Sequence, residues 1–169
     1  MTTTVGHWID NKEVPSTSGR TAPVYDPALG VETKRVALAN AAEINAAIAS
    51  AKKAFPGWSK TSLAARQQIV FKFRELLNAK KGELAEIITS EHGKVLSDAL
   101  GEITRGQEVV EFAVGMPQLI KGYYSENVST GVDVYSTRQA LGVVGIISPF
   151  NFPAMVPMWF YPIAIAAGN

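Results

Sequence analysis

A neutral amide, that of Asn151, stands just after a run of β-branched and apolar residues at 143–147. Gly142 and the pair Ser148-Pro149 bound this run, which is the pattern of a strand buried on both faces of a parallel sheet. Ligands in open α/β sheets bind outside the carboxyl ends of the strands. An amide held there could donate a hydrogen bond to an oxygen that becomes negative during a reaction. A neutral donor suits that task because it costs less to desolvate than a charged one.

Asn151 has a second interpretation, as the residue that caps a helix. Asn is a preferred N-cap, and Pro153 would then lie in the first turn, where its missing N–H costs nothing. The pattern alone favours the cap over the reactive amide. In either case, the sequence predicts a strand at residues 143–147, a turn that holds Asn151 and a helix that starts near Pro153.

The segment around Asn151 is apolar enough to raise a membrane alternative. Residues 140–169 hold no charged side chain, and about 20 apolar residues suffice to span a bilayer. Four prolines interrupt the segment and would break a spanning helix, namely Pro149, Pro153, Pro157 and Pro162. A strand, a turn and a buried helix interrupted near Pro162 therefore fit the pattern better.

Short strands precede and follow a helical block in the rest of the sequence. Asp10 and Asn11 favour a β-hairpin within residues 6–14, and turn signals divide residues 22–39 into short antiparallel strands. Residues 123–140 alternate apolar and polar side chains, which is the pattern of a half-exposed strand.

Four helices are predicted between these strands, at about residues 41–55, 62–80, 83–92 and 96–119. Their limits come from the N-caps Asn40 and Ser62 and from the end signals Pro56-Gly57, Gly82 and Gly93. Their apolar faces are most simply interpreted as core rather than as binding surfaces. For the first two helices, we expect the inward side chains to be Ile44, Ala47, Ile48 and Ala51, and then Ile69, Phe73, Leu76 and Leu77.

The composition is that of a globular protein and excludes several classes of function. The 169 residues carry a net charge of +1, so the chain has no electrostatic footprint for nucleic acid or an anionic membrane. There is no cysteine, which excludes disulfides, thiolate–zinc sites and a cysteine nucleophile within these residues. Two histidines, His7 and His92, are too few for a metal site of their own. The N-terminus lacks the features of a targeting peptide, so we expect a cytoplasmic, reducing environment.

The predicted buried strand comes late in the chain. A parallel strand needs neighbours that are reached through crossover connections, yet only 22 residues follow Ile147. We therefore interpret the chain as the N-terminal part of a longer protein.

Motifs spread along essentially all 169 residues resemble, in their order, the N-terminal third of the aldehyde dehydrogenase superfamily. They are Trp8-Ile9-Asp10-Asn11-Lys12, Tyr25-Asp26-Pro27-Ala28-Leu29-Gly30, Ala54-Phe55-Pro56-Gly57-Trp58-Ser59, Glu91-His92-Gly93-Lys94, Ser148-Pro149-Phe150-Asn151-Phe152-Pro153 and Ala166-Ala167-Gly168-Asn169. Within the superfamily, residues 101–112 and 157–163 look most like those of the CoA-acylating methylmalonate-semialdehyde dehydrogenases.

This resemblance implies an α/β fold, the N-terminal part of a Rossmann-type NAD-binding domain with a β-flap for oligomerisation. Residues 1–122 would be the helical and hairpin part of that domain. Residues 123–140 would be the flap, and residues 141–169 the first Rossmann-type strand with its following helix. A homo-oligomer, dimer or tetramer, is the implied assembly.

The resemblance also implies a reaction. In this family a cysteine attacks the aldehyde, a hydride passes to NAD, and coenzyme A takes up the acyl group while the carboxylate of the semialdehyde is lost as CO₂. The nucleophilic cysteine lies downstream in this family, so the present chain alone should be inactive. The implied partner is a small-molecule semialdehyde, with neither nucleic acid nor membrane involved.

Site residues follow from the same resemblance. The Asn151 amide would be an oxyanion donor, which reverses the preference for a simple cap. Ser148 and Phe150 match positions that line the cofactor in this family. Phe152 and Trp159 could line the aldehyde tunnel, although buried aromatic residues on a core helix are usually packing residues.

Arg105 is the candidate for binding the substrate carboxylate. Glu102 and Glu108 flank it at helical spacing, so a solvated ion pair is the simpler interpretation. The functional interpretation is that its planar fork grips the carboxylate of a semialdehyde. Gly101 and Gly106 beside it would allow close approach of a backbone or a substrate.

Two further functions stay open at this stage. One is a CoA-independent semialdehyde dehydrogenase, because the residues that distinguish acylating from hydrolytic relatives lie beyond residue 169. The other is a non-catalytic helical module that binds partners.

Overall fold

The computed structural model describes residues 3–169, which form three small sheets and six helices. The strands are β1 (Thr3–Val5), β2 (His7–Ile9), β3 (Lys12–Val14), β4 (Thr21–Asp26), β5 (Val31–Ala37), β6 (Tyr124–Ser129) and β7 (Val132–Tyr135). The helices are α1 (Ala41–Trp58), α2 (Leu63–Ala79), α3 (Lys81–His92), α4 (Leu96–Val114), α5 (Met116–Leu119) and α6 (Met155–Ala166).

The predicted hairpin and antiparallel strands near the N-terminus are confirmed. β2 and β3 pair antiparallel, and the turn between them places Asp10 and Asn11 at φ 54° and 59°, the left-handed region that Asx residues tolerate. β4 and β5 also pair antiparallel, and β1 adds to β5 in parallel. That third strand was not predicted.

Caps set the starts of the first two helices as the sequence predicts. Asn40 Oδ1 accepts a hydrogen bond from Glu43 N at 3.0 Å, and Glu43 Oε2 accepts one from Asn40 N at 2.9 Å, which is a capping box. Backbone hydrogen bonds from Thr17 and Asn40 hold the pKa of Glu43 down at about 2. Ser62 caps α2 by accepting a hydrogen bond from Ala65 N at 3.3 Å.

Helix ends differ from prediction at three glycine- or proline-containing places. α1 runs on to Trp58 with Pro56 inside its last turn, so the predicted stop at Pro56 is wrong. Gly82 lies inside α3 and does not end α2, since Lys80 alone separates the two helices. The predicted helix over residues 96–119 is divided at Gly115 into α4 and α5.

The core lies around α4, which packs against α2, α3 and α6. Gly106 permits the close approach of α6, because a Cβ there would lie 3.0 Å from Met158 Sδ and 3.3 Å from Met155 Cα. The core side chains come from five helices, namely Val70, Leu77, Ala85, Ile88, Ala99, Ile103, Val110, Ala113, Met116, Met158 and Ala166.

Two predicted core faces are wrong in part. On α2, Leu77 is buried and Phe73 is partly buried, but Ile69 and Leu76 are exposed. The buried face contains Arg66 and Val70 instead, so it is turned by about one residue. On α1 no residue is buried, and Ile44 and Ile48 are exposed. Their face borders an open apolar hollow that Trp8 and Ile9 of the hairpin line.

The predicted strand at residues 143–147 is wrong, because no strand ladder within residues 3–169 includes it. Ile147 is 100% exposed. A strand needs a hydrogen-bonded neighbour, and the part of the chain that is described places none beside this segment. Asn169 Oδ1 holds the start of the segment by accepting hydrogen bonds from Leu141 N at 2.7 Å and Gly142 N at 3.0 Å.

The turn and the helix after this segment are confirmed. Asn151 lies in an irregular turn, and α6 begins at Met155. The predicted interruption near Pro162 is wrong, because α6 continues through this proline to Ala166. Within residues 3–169, no helix combines the length and the apolar character needed to cross a membrane.

Residues 123–140 contain a single exposed hairpin. β6 and β7 pair antiparallel, and every residue in both strands is exposed. The Tyr124 hydroxyl donates to Asp133 Oδ2 at 2.6 Å, which lowers the pKa of Asp133 and raises that of Tyr124. The alternating pattern at Val132, Val134 and Tyr135 thus predicts a strand correctly, but the expectation that the strand is half-exposed is wrong, because both of its faces are exposed. A role in oligomerisation stays a prediction.

Candidate active site

The turn before α6 is attached to α4 through a buried carboxylate, that of Glu102. The Glu102 side chain is 0% exposed. Its Oε1 accepts hydrogen bonds from the backbone N–H groups of Ala154, at 2.7 Å, and Met155, at 3.1 Å. A carboxylate at a helix N-terminus satisfies orphan donors and interacts favourably with the helix dipole. Glu102 therefore does for α6 what a capping residue would do, although it comes from another helix.

Lys94 completes this attachment from the linker between α3 and α4. Its Nζ donates to Glu102 Oε2 at 2.5 Å and to the backbone carbonyl of Asn151 at 3.0 Å. The same ammonium lies 4.4 Å from the centre of the Phe152 ring, a distance at which a cation is attracted to a ring face. Because the Lys94 side chain is only 11% exposed, water screens these contacts weakly.

The charge state of Glu102 follows from these partners. Burial would raise the pKa of Glu102, but the hydrogen bonds from Lys94, Met155 and Ala154 outweigh burial and lower it. Glu102 is therefore a carboxylate at neutral pH.

Asn151 has its backbone turned toward Lys94 and its side chain at the surface. Its carbonyl is held by Lys94, and the residue as a whole is exposed. Within residues 3–169, no group forms a hydrogen bond with its side-chain amide, and α6 has Ala154 at its N-cap position. The interpretation of Asn151 as the helix cap is therefore wrong, and its amide is left available for a ligand.

Arg105 lies on the exposed side of α4, near the same turn. Its guanidinium carbon is 5.6 Å from the centre of the Phe152 ring, and its Nε donates to the Gly101 carbonyl at 3.4 Å. The alternative of an ion pair with Glu102 is wrong because Lys94 holds that carboxylate. Among the described residues, no carboxylate lies within salt-bridge distance of Arg105.

The remaining predicted site residues are exposed to different degrees. Ser148 is exposed, and Phe150 is 61% exposed with its ring centre 5.4 Å from that of His92. Trp159, on α6, is 44% exposed, so core packing does not account for it. In the part of the chain that is described, Trp159 stacks on none of the other predicted site residues.

The structure therefore groups Arg105 with Phe152 and its chain neighbour Asn151, whereas the Phe150 ring lies against His92. Lys94 and Glu102 also belong to this cluster, and neither was predicted as a site residue from the sequence. A signal was present for Glu102, because it falls on the buried stripe of α4 that also includes Ala99, Ile103 and Gly106. A charged residue on such a stripe requires a partner. No group of three or more His, Cys, Asp or Glu residues within residues 3–169 is arranged to hold a metal ion.

Comparison with known proteins decides the family of this fold and site. A sequence model described as "Aldehyde dehydrogenase family" matches residues 14–169. The chain belongs to the aldehyde dehydrogenase family. The α/β fold and the family expected from the sequence motifs are thereby confirmed, and the turn with Asn151 lies inside the matched range.

Individual relatives similar to this chain are described as malonate- or methylmalonate-semialdehyde dehydrogenases. Malonate-semialdehyde dehydrogenase of Pseudomonas aeruginosa is 45% identical over 163 residues, which are 96% of this chain and 33% of that protein. The acylating, mitochondrial methylmalonate-semialdehyde dehydrogenase of Arabidopsis thaliana is 46% identical over 165 residues, or 98% of this chain and 27% of that protein.

A solved structure is similar over the whole chain. It is described as a methylmalonate-semialdehyde dehydrogenase of Sinorhizobium meliloti in complex with NAD, and it superposes with a TM-score of 0.97 at 47% identity. The superposition covers 100% of this chain and 34% of that one. The chain thus spans about a third of the length of the relatives that it matches.

Proposed function

We propose that this chain is the N-terminal part of an NAD-dependent, CoA-acylating malonate- or methylmalonate-semialdehyde dehydrogenase. The observation that carries the proposal is that Asn151, whose amide is free among the described residues, directly precedes the half-buried Phe152, and that the unpaired guanidinium of Arg105 lies 5.6 Å from the centre of the Phe152 ring. The substrate of such an enzyme has an aldehyde and a carboxylate one carbon apart. An amide and a guanidinium are suited to these two groups.

Each residue has a defined task in this proposal. The Asn151 amide donates a hydrogen bond to the aldehyde oxygen as it gains negative charge, which stabilises the transition state more than the ground state. Arg105 binds the carboxylate with its planar fork and so orients the aldehyde. The nucleophile is expected to be a cysteine from outside residues 1–169, since these contain none.

The residues that would contact NAD fit a nucleotide cofactor chemically. Ser148 presents an exposed hydroxyl, which can donate to or accept from a ribose hydroxyl, and Phe150 presents an exposed apolar ring. NAD, when bound, supplies the acceptor for the hydride of the aldehyde. The solved relative described as a complex with NAD supports this assignment.

We also propose an assembly state and a cellular compartment for the protein. The exposed hairpin of β6 and β7 is a suitable flap for oligomerisation, because all of its residues remain accessible for a partner subunit. We propose a homo-oligomer, dimer or tetramer. We also propose a reducing compartment such as the cytoplasm. Among the relatives, the Arabidopsis protein is described as mitochondrial.

The experiment that tests the proposal is a rate assay of the full-length protein that contains this chain. NADH formation is followed with malonate semialdehyde, methylmalonate semialdehyde and propanal, each with and without coenzyme A. We expect CoA-dependent NADH formation with a strong preference for the two carboxylated aldehydes. Rates that do not depend on coenzyme A would favour the CoA-independent semialdehyde dehydrogenase. No NADH formation with any aldehyde would favour a non-catalytic module.

A further inference from the structure

The turn that carries Asn151 has no regular secondary structure to fix it. Residues 150–154 are in bends and turns, and residues 143–149 before them are exposed and have no regular secondary structure. An oxyanion donor must lie about 2.7 to 3.1 Å from the oxygen that it stabilises, and a misplacement of about 1 Å can cost about a hundredfold in rate. Something other than the local backbone must therefore hold this turn.

Lys94 and Glu102 make contacts at both ends of the turn. Lys94 Nζ binds the Asn151 carbonyl at 3.0 Å, next to the Cα that carries the amide side chain. Glu102 Oε1 binds the N–H groups of Ala154 and Met155, where the turn becomes α6. The contact of 2.5 Å between Lys94 and Glu102 joins the two ends.

Burial makes this arrangement stiff. Glu102 is 0% exposed, and α4, which carries it, lies at the centre of the core. A buried charge pair that has lost one partner leaves the other charge unsatisfied, so the pair resists rearrangement. The exposed pair between Lys80, just before α3, and Glu83 on α3, with side chains 61% and 67% exposed, lacks this constraint.

We infer that Lys94 and Glu102 are positioning residues, which hold the backbone of Asn151 so that its amide meets the reacting oxygen. The inference rests on the proposed function, because it assigns these residues a role in the same reaction. Neither side chain need touch the substrate. Their effect should therefore appear in turnover and should depend on the presence of the Asn151 amide.

A double-mutant cycle in the full-length protein tests this dependence. Lys94→Met keeps the apolar stem and removes the ammonium, and it should lower kcat for malonate semialdehyde about tenfold or more, with the KM for NAD little changed. In the Asn151→Ala background the same substitution should lower kcat less than about twofold, because the group that Lys94 positions is already gone. Lys80→Met, which breaks the exposed pair, is the matched control and should leave kcat unchanged.

Glu102→Gln provides a second variant if Lys94→Met does not fold. The Gln carbonyl can still accept from Ala154 and Met155, so the start of α6 is retained, whereas its NH₂ group can no longer accept from Lys94. We expect the same loss of kcat and the same dependence on Asn151.

The outcomes separate this inference from the proposed function. If Asn151→Ala lowers turnover but the Lys94→Met and Glu102→Gln losses are as large in its background as in the wild type, the pair is only structural and the inference fails. A normal kcat in both variants would also overturn it. If Asn151→Ala itself leaves turnover unchanged, the proposed role of the amide fails first.

Discussion

Asn151 is the residue on which turnover should depend most directly. We expect Asn151→Ala in the full-length protein to lower kcat by about a hundredfold or more, because a preorganised donor to the oxyanion is lost. Affinity for NAD should change little, since the amide is assigned to the aldehyde oxygen. Steady-state kinetics and NAD titration measure the two effects. Asn78→Ala, which removes an exposed amide on α2, is the control. Near-normal turnover in Asn151→Ala would contradict the assignment.

Arg105 should determine selectivity for carboxylated substrates. Arg105→Leu removes the guanidinium, and a charge-assisted hydrogen bond to a carboxylate is worth about 1.5 to 3 kcal/mol. We therefore expect the KM for malonate semialdehyde to rise roughly tenfold or more, while kinetics with propanal barely change. Arg105→Lys should recover part of the loss, because it keeps the charge without the planar fork. Equal losses on both substrates would mean that Arg105 has a structural role.

The site could be predicted from sequence only where a residue's role is local. Asn151 stands out because an amide after an apolar run, among prolines, is an unusual local pattern. That pattern alone favours the helix cap, which the structure contradicts, and the reactive amide stays a prediction. The partners of Glu102 were missed because they are far apart in sequence. Glu102 binds the backbone N–H groups of residues 154 and 155, and such contacts cannot be recognised from side-chain types. Its other partner, Lys94, lies outside α4, in the linker between α3 and α4. The sequence suggests Arg105 as the partner of Glu102, because the two lie three residues apart on the same helix.

At the scale of elements, the packing of α4 against α6 sets the place of the turn. A Cβ at Gly106 would lie 3.3 Å from Met155 Cα and against the flexible end of Met158, so α6 would have to shift. We expect Gly106→Ala to destabilise the full-length protein by about 1 to 3 kcal/mol, the usual cost of overpacking, and to lower kcat as the turn moves. Thermal unfolding and steady-state rates measure these changes.

Gly101 offers the matched control on the same helix. Nothing lies within 4 Å of a Cβ placed there, so Gly101→Ala should be neutral or stabilising by up to about 1 kcal/mol through helix propensity. Equal effects of the two substitutions would show that the α4–α6 contact does not limit stability or turnover.

Prediction of the elements succeeded where caps and turn residues act within a few positions. Asn40, Ser62 and Gly93 each mark a helix end as the sequence indicates. The strand at 143–147 failed because a strand is defined by a neighbour, which periodicity cannot supply. The faces of α1 and α2 failed in part for the same reason, since burial depends on what packs against a face.

At the scale of the whole molecule, residues 141–150 present unusual apolar exposure. Leu141, Val143, Val144, Ile146 and Ile147 are all exposed, and the segment has no ladder partner within residues 3–169. Exposed apolar patches larger than a few hundred Å² usually mark interfaces or cause aggregation, and unpaired backbone groups in such a segment invite pairing with another chain.

We therefore expect the isolated 169-residue chain to be insoluble or to bury this segment in an oligomer. The exposed β6–β7 hairpin offers a second contact surface. Sedimentation gives the assembly state, and hydrogen exchange reports protection of residues 141–168. A stable monomer in which these residues are strongly protected would contradict the expectation and show that the segment is self-sufficient.

An acylating oxidation of a carboxylated semialdehyde releases the substrate carboxylate as CO₂. Following that carbon atom is therefore the most direct test of the proposed function. The full-length protein is given NAD, coenzyme A and malonate semialdehyde that is ¹³C-labelled at the carboxylate, and the products are followed by NMR and mass spectrometry. We expect one labelled CO₂ and one unlabelled acetyl-CoA for each NADH formed. Label retained in free malonate, with no thioester and no effect of coenzyme A, would contradict the proposed function.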